Sequence, residues 1–338
     1  MDEQQEAPKF GIIDSLSFGF QLIARRPWLL VLPVLLDLLL WLGPRITVGP
    51  LVSRFLPLLQ IPAGMPEDVG ELVLVYRDML EQMGEQWNLL SLLVRGVVSL
   101  PSFVASQINP SSPLGSPASL GLSSLGGTLG WGALAALVGT LLGGLYLVLI
   151  ARQLRRLRPD PELQADPTAV ERSFPQRLGL ILLRLLLFSL LILAGLLVII
   201  VPISLLGGGL GLISPNFAFS VMGLLSMLGG SLVLWIGFIL YFAVEAIVLD
   251  EVRVVQAVWR SANVVWRNLW PTLGLALLSY VIGAGFTLIW DRIGGTTWGA
   301  ALSILGTAYI GAAISAAGLA FYADRRHRWQ ESVTPGAV

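Results

Sequence analysis

The 338-residue sequence contains no cysteine and a single histidine, His327. The absence of cysteine excludes disulfide bonds, thiol catalysis, iron–sulfur clusters and most structural zinc sites. One histidine cannot form a histidine-rich metal site either. We therefore expect no metal ion and no other cofactor.

Charged residues are also scarce. They make up 12 % of the chain and hydrophobic residues 55 %, whereas about 25 % of an ordinary soluble domain is charged. Such a chain cannot cover a globule with polar surface, so we expect an all-α integral membrane protein, because open sheet edges are not tolerated in lipid. Basic and acidic residues balance at 21 each, which gives no basis for binding nucleic acid.

Six apolar runs are candidates for membrane spans, since a helix needs about 20 apolar residues to cross about 30 Å of hydrocarbon. They are residues 27–43, 129–151, 178–206, 217–249, 272–290 and 298–323. The first run is slightly short. A further apolar stretch, 89–105, has Arg95 near its centre and contains Pro101. We interpret it as an amphipathic helix at the outer leaflet rather than as a seventh span.

The distribution of basic residues orients these spans. With both termini in the cytoplasm, the cytoplasmic segments hold 15 lysines and arginines and the opposite side holds 5. The positive-inside rule therefore favours both termini inside. Twenty arginines against one lysine favour a GC-rich or heat-adapted bacterium as the source. We thus predict a multi-pass protein of the inner (plasma) membrane.

This topology divides the chain into four parts. They are an N-terminal interfacial helix with the first span (1–43), an extracytoplasmic helical insert (44–128), spans two to six (129–323) and a cytoplasmic tail (324–338). Within the insert, 66–88 has the composition of a soluble helix and 109–128 is a Ser/Gly/Pro-rich link. The glycine run 207–211 is interpreted as a turn between spans three and four.

The segment before the fifth span has polar residues at spacings of three and four. They are Arg253, Gln256, Arg260, Asn263 and Arg267. This pattern predicts a helix in the headgroup plane. Arg253, Arg260 and Arg267 would face anionic lipid, and Trp259, Trp266 and Trp270 would face acyl chains. Similar patterns before the first and third spans predict three units, each an interfacial helix followed by two spans.

Part of this region carries a family resemblance. Residues Glu245 to Glu251 (EAIVLDE), followed by VVQAVWRSANVVWRNLWPTLGLALL, resemble the membrane-domain family named for glycerophosphoryl diester phosphodiesterases and related uncharacterised six-helix bacterial proteins. The resemblance covers about residues 215–290 and is diffuse over 10–45 and 170–205, and the insert departs from it. It implies no activity, because the family takes its name from fusion to a soluble phosphodiesterase that this sequence does not contain.

Three ionisable residues fall within the spans, where charge is costly and needs a partner or water. Arg184 and Glu245 are predicted at similar depth near the cytoplasmic side, and we expect them to form a charge pair. Asp37 lies near mid-membrane without an evident cation. It is the best candidate for function, although a hydrogen-bonded or protonated buried carboxyl is the simpler interpretation.

No nucleophile-elbow, kinase or zinc pattern occurs in the sequence, so we do not expect an enzyme. Two functions remain open. The first is a non-catalytic accessory or scaffold protein that organises lipid or a membrane complex, with anionic lipids, other proteins or a second copy as partners. The second is a transporter or channel that uses Asp37 and an Arg184/Glu245 layer.

Overall fold

In a computed structural model, the described residues are 11–58, 67–107, 112, 113, 115, 117–157 and 173–333. The helices are α1 (Ile12–Arg25), α2 (Val31–Leu42), α3 (Gly49–Phe55), α4 (Glu67–Gln86), α5 (Leu125–Leu157), α6 (Phe174–Ile213), α7 (Pro215–Ile239), α8 (Ala243–Asp250), α9 (Val254–Arg267), α10 (Leu269–Ile293) and α11 (Thr297–Val333). The strands are β1 (Arg45–Thr47) and β2 (Ser119–Gly121). The end of the predicted tail, and parts of the Ser/Gly/Pro-rich link and of the segment before α6, lie outside the described residues.

Among the residues that the structure describes, five regions are long and apolar enough to cross a membrane. They are Leu125–Leu157, Phe174–Gly211, Ser220–Asp250, Leu269–Ile293 and Thr297–Arg328. They correspond to the last five predicted runs and confirm the all-α membrane class. The first run forms a four-residue 3-10 turn and the twelve-residue α2, which together fall short of the usual length of a span.

Capping residues set the bounds of α6. The backbone N–H of Ser173 donates to the Gln176 side chain at 3.2 Å, and the helix continues to Ile213. The glycine run 207–211 lies inside this helix, so the predicted turn is wrong. The chain turns at Ser214 instead, where Pro215 begins α7 and, lacking an N–H, cannot extend α6. Glycines remain helical because backbone groups facing lipid must bond internally.

The chain divides into two compact units. Unit 1 comprises Met1–Leu22, Leu147–Ser279 and Ala313–Val338, and unit 2 comprises Ile23–Tyr146 and Tyr280–Ala312. In the core of unit 1, the ring of Phe242 stacks on Phe321 with centroids 5.7 Å apart. Gly19 lies so close to α11 that a Cβ atom there would be 2.2 Å from the Ala313 carbonyl oxygen. Only glycine allows this approach of α1.

In unit 2, residues 89–106 form partly buried, irregular backbone rather than the amphipathic helix predicted over 89–105. Two 3-10 turns, Leu89–Leu93 and Val104–Ser106, stand at its ends. Pro101 between them cannot donate a helical hydrogen bond, which accounts for the failure of that prediction. Cβ atoms on Gly139 and Gly143 of α5 would lie 2.6 Å and 2.3 Å from carbonyl oxygens of this segment. The absence of a side chain at these two glycines therefore allows α5 to pack closely against the irregular backbone.

Short hydrogen-bonded contacts organise the rest of the insert. Strands β1 and β2 pair in parallel, with Ile46 opposite Leu120. The Val48 N–H donates to the Gly84 carbonyl at 3.1 Å, which joins the start of α3 to the end of α4. Helix α4 confirms the predicted soluble-type helix. The strand at 119–121 was not predicted, because its three residues lie inside the Ser/Gly/Pro-rich stretch.

Candidate functional site

The end of α8 in unit 1 carries two adjacent acidic residues, Asp250 and Glu251. Glu251 has a φ of +52°, the left-handed conformation that commonly ends a helix. The turn directs the two carboxylates to different partners, and the Asp250 side chain is only 1 % exposed. Arginines from several helices converge on this acidic turn.

Asp250 binds side chains of α9 and α11. Its Oδ2 accepts a hydrogen bond from the Tyr322 hydroxyl at 2.7 Å and pairs with the Arg260 guanidinium. Its Oδ1 pairs with Arg326, whose side chain is 8 % exposed. Taking a carboxylate out of water is costly unless it is paired and hydrogen-bonded. The cations and the hydroxyl meet this requirement and tie α8, α9 and α11 together.

Glu251 binds arginines of α5 and α6. The Arg155 Nη1 lies 3.4 Å from Oε1, and the Arg177 Nε donates to Oε2 at 3.1 Å. Arg184 donates to the Glu251 backbone carbonyl. Arg155 also donates to the carbonyls of Val248 and Leu249, at 3.3 Å and 2.7 Å. These contacts satisfy the carbonyl end of α8, where positive charge is favoured.

A cavity of about 160 Å³ lies beside this turn, with Arg152, Arg155, Arg177 and Glu251 in its lining. The Arg152 guanidinium stacks over the ring of Phe174, 4.9 Å from its centroid. Three cations face one carboxylate, and the remaining lining is mostly apolar. A cavity of this chemistry suits an anionic headgroup with an adjoining apolar chain.

The expected pair between Arg184 and Glu245 does not form. Arg184 binds the Glu251 carbonyl instead, because the left-handed turn brings that oxygen to it. The Oε2 atom of Glu245 is buried and has no hydrogen-bond partner. Similar depth in the membrane therefore did not bring the two side chains together.

Asp37 of α2 stabilises the irregular segment in unit 2. It is fully buried and accepts hydrogen bonds from the Ser102 hydroxyl and from the N–H groups of Phe103 and Val104, the last two at 2.8 Å and 3.3 Å. The N–H groups of Phe103 and Val104 are backbone donors, which in a regular helix would bond to carbonyl groups of the same helix. The carboxylate replaces the missing helical partners, so the hydrogen-bonded interpretation of Asp37 agrees with the geometry.

Helix α9 in unit 1 presents three distinct faces. The core face buries Ala257, Ser261, Val264 and Val265. The Ser261 hydroxyl donates to the Ile239 carbonyl at 2.7 Å and accepts from the Phe242 N–H at 3.1 Å. These bonds fix α9 against the break between α7 and α8.

The second face of α9 is aromatic and the third is basic. Trp259 and Trp266 are 67 % and 76 % exposed, and Trp270, the second residue of α10, is 77 % exposed. Arg253 and Arg267 are exposed beside this aromatic face. Arg260 departs from the predicted lipid-facing stripe, because its guanidinium turns inward to the buried carboxylate of Asp250.

A model of a domain of unknown function, DUF7847, matches residues 89–317. The chain belongs to this family. No curated protein and no solved structure matches the chain. The DUF7847 region contains the acidic turn, α9 and four of the converging arginines, whereas Asp37 and Arg326 lie outside it.

Sequence reasoning did not identify the acidic turn of this DUF7847 protein as a charge centre. In the sequence, Asp250 and Glu251 stand out only as part of the stretch that carries the family resemblance. The available signal was the pair of adjacent acids between two spans, in a region where arginine otherwise dominates. Among the described residues, no group of three or more histidine, aspartate or glutamate side chains converges to hold a metal ion.

Proposed function

We propose that this protein is a non-catalytic polytopic protein of the inner (plasma) membrane that binds anionic lipid through α9. In this role it organises lipid or a membrane protein complex. The observation that carries the proposal is the order of faces on α9. Exposed indoles stand beside exposed arginines on a helix whose core face is buried in its unit.

The fixed orientation of α9 supports this role. A headgroup-plane helix places indoles toward acyl chains and guanidinium groups toward phosphates. The buried Ser261 and the pairing of Arg260 with Asp250 hold α9 so that Trp259 and Trp266 point outward. The arginine-lined cavity at Glu251 offers a second place for an anionic headgroup in the same unit.

The helical pair α6 and α7 supports an organising role. Only 6 % of the residues in the most apolar 18-residue stretch of Phe174–Gly211 are buried. This apolar surface suits acyl chains or another membrane protein, including a second copy. In the proposed topology Pro27–Leu42 completes a sixth span, and both termini lie in the cytoplasm.

The geometry gives less support to transport. Two of the three residues on which a transport path depends have structural roles. Asp37 accepts backbone hydrogen bonds from the 102–104 turn, and Arg184 donates to the Glu251 carbonyl. Residues engaged in this way are not available to bind and release a substrate.

The proposal is tested by the lipid that the purified protein retains. The variant Arg253→Gln/Arg267→Gln removes both exposed arginines from beside the aromatic face. Each arginine near an anionic surface contributes about 1 kcal/mol, so retention of phosphatidylglycerol should weaken by up to about thirtyfold. Native mass spectrometry of protein extracted from phosphatidylglycerol-containing membranes measures the number of lipids bound.

The variant Arg54→Gln/Arg77→Gln is the matched control. It removes the same charge from exposed positions in α3 and α4, and it should retain lipid like the unaltered protein. Equal retention in both variants would refute lipid binding through α9. Arg260→Gln should instead lower thermal stability, because it leaves one oxygen of Asp250 without its cation.

A further inference from the structure

A cavity that the proposed function does not use lies in unit 2. It has a volume of about 460 Å³, within the range of pockets that hold small molecules. Helix α4 forms one wall, with Met79, Gln82, Met83 and Gln86 in its lining. These residues recur at spacings of three and four, so one face of α4 lines the cavity. Trp87 extends this wall.

The charged side chains that line the cavity have one sign. Arg45 and Arg95 are among its lining residues, and none of the described lining residues is acidic. Helix α4 carries several acids, among them Asp78, Glu81 and Glu85, which are exposed to solvent and do not line the cavity. The two arginines therefore favour a negatively charged ligand.

Polar donors in the cavity are left for a ligand. The Ser91 residue is 5 % exposed, and its Oγ has no hydrogen-bond partner. A buried hydroxyl without a partner is uncommon and calls for an explanation. Arg95 donates through Nη2 to the Ala105 carbonyl, which orients the guanidinium at the cavity and leaves its other N–H groups available.

The position of these donors is set by the irregular segment. The Asn88 side chain accepts from the N–H groups of Ile46 and Leu90, each at 3.1 Å. These bonds hold the Leu89–Leu93 turn, which carries Ser91, against β1. The site is thus preorganised by contacts within unit 2, and a ligand would not have to order it.

From this arrangement we propose that the cavity between α4 and residues 88–107 binds an amphipathic monocarboxylate, such as a medium-chain fatty acid. The carboxylate would bind Arg95 and Ser91, and the chain would pack on Met79, Met83 and Trp87. Methionine side chains adapt to flexible apolar ligands. A carboxylate matches the fork of an arginine in a bidentate manner.

The experiment uses the full chain in phosphatidylcholine nanodiscs and a dodecanoate that carries a diazirine. After irradiation, mass spectrometry maps the labelled peptides at increasing probe concentration. We expect saturable labelling within 79–107 that unlabelled dodecanoate displaces and dodecylamine does not. Saturable labelling confined to the spans would overturn the proposal, as would the absence of saturable labelling, in which case the cavity holds water only.

Two variants test the contacts. Arg95→Gln should reduce the affinity about tenfold, because it removes a charge-assisted pair. Ser91→Ala should reduce it about threefold without unfolding the protein, because its hydroxyl has no protein partner to lose. Arg77→Gln on the exposed side of α4 is the control with equal loss of charge. If Arg95→Gln and Arg77→Gln bind alike, the carboxylate does not occupy the site.

Discussion

Two buried carboxylates in unit 1 show how differently the same chemical group can be accommodated. Asp250 has two arginines and a tyrosine hydroxyl around it. The Oε2 atom of Glu245 has no hydrogen-bond partner, and Oε1 lies toward Gly318, where a Cβ atom would be 3.4 Å away. Stability should therefore depend on Asp250 far more than on Glu245.

Asp250→Asn should destabilise the protein by about 3–5 kcal/mol, because it removes the buried negative charge that pairs with both Arg260 and Arg326. Glu245→Gln should change stability by no more than about 1 kcal/mol, because it removes a charge that the fold does not neutralise. Thermal unfolding in detergent compares the two variants. Equal destabilisation would mean that Glu245 has a partner that the structure does not show.

Among the elements, α5 is distinctive because it packs against backbone that is not helical. Close contact with exposed carbonyl groups requires residues without a side chain, and Gly139 and Gly143 provide it. Asp37 stabilises the same segment from the side of α2. Backbone groups that lack helical partners must be satisfied in another way, and the Asp37 carboxylate does this for the N–H groups of Phe103 and Val104.

Gly143→Ala should destabilise the protein by about 1–3 kcal/mol, since the added methyl group overlaps the Val98 carbonyl. Gly130 lies in the same helix, with nothing within 4 Å of an added Cβ atom. Gly130→Ala should therefore be neutral or stabilising by up to about 1 kcal/mol. Differential scanning calorimetry of both variants in detergent measures the difference in their thermal stability. A similar gain in both would show that helix propensity, not contact with residues 89–100, governs α5.

At the scale of the whole molecule, the proposed topology assigns each segment to one side of the membrane. The proposed topology places α4 outside the cell and the C-terminal tail inside. Cysteine can be introduced freely, because the sequence has none.

In intact cells, an impermeant maleimide should label Glu81→Cys in α4 and should not label Ser332→Cys until the cells are opened. The reason is that the cytoplasmic segments hold most of the basic residues, which resist translocation. Fluorescence of the labelled protein on a gel gives the result. Labelling of Ser332→Cys alone would invert the topology, and labelling of both in intact cells would require an even number of spans between α4 and the tail.

Hydropathy predicted the five long apolar helices from Leu125 onward, because apolar length is a local property of the sequence. The partners of Asp37 could not be predicted, since Phe103 is 66 positions away and belongs to a turn that has no periodic pattern. The Arg184–Glu245 pair failed for a related reason. Depth along a helix can be read from the sequence, but the left-handed turn at Glu251 that redirects Arg184 cannot. The stripe on α9 was predicted as a pattern, yet the buried Asp250 that turns Arg260 inward belongs to another helix.

The hydrogen bond from Val48 to Gly84 has a consequence for how this protein can diversify. This hydrogen bond brings the start of α3 close to the end of α4. Both helices precede residues 89–317, which the family model matches. Replacing the α3–α4 segment by another sequence would not change the order or packing of the later helices, because its two ends are close together and need only a short connection. One wall of the fatty-acid cavity would change with that segment while Ser91 and Arg95 stayed in place. Ligand preference could then evolve separately from the membrane scaffold that displays it.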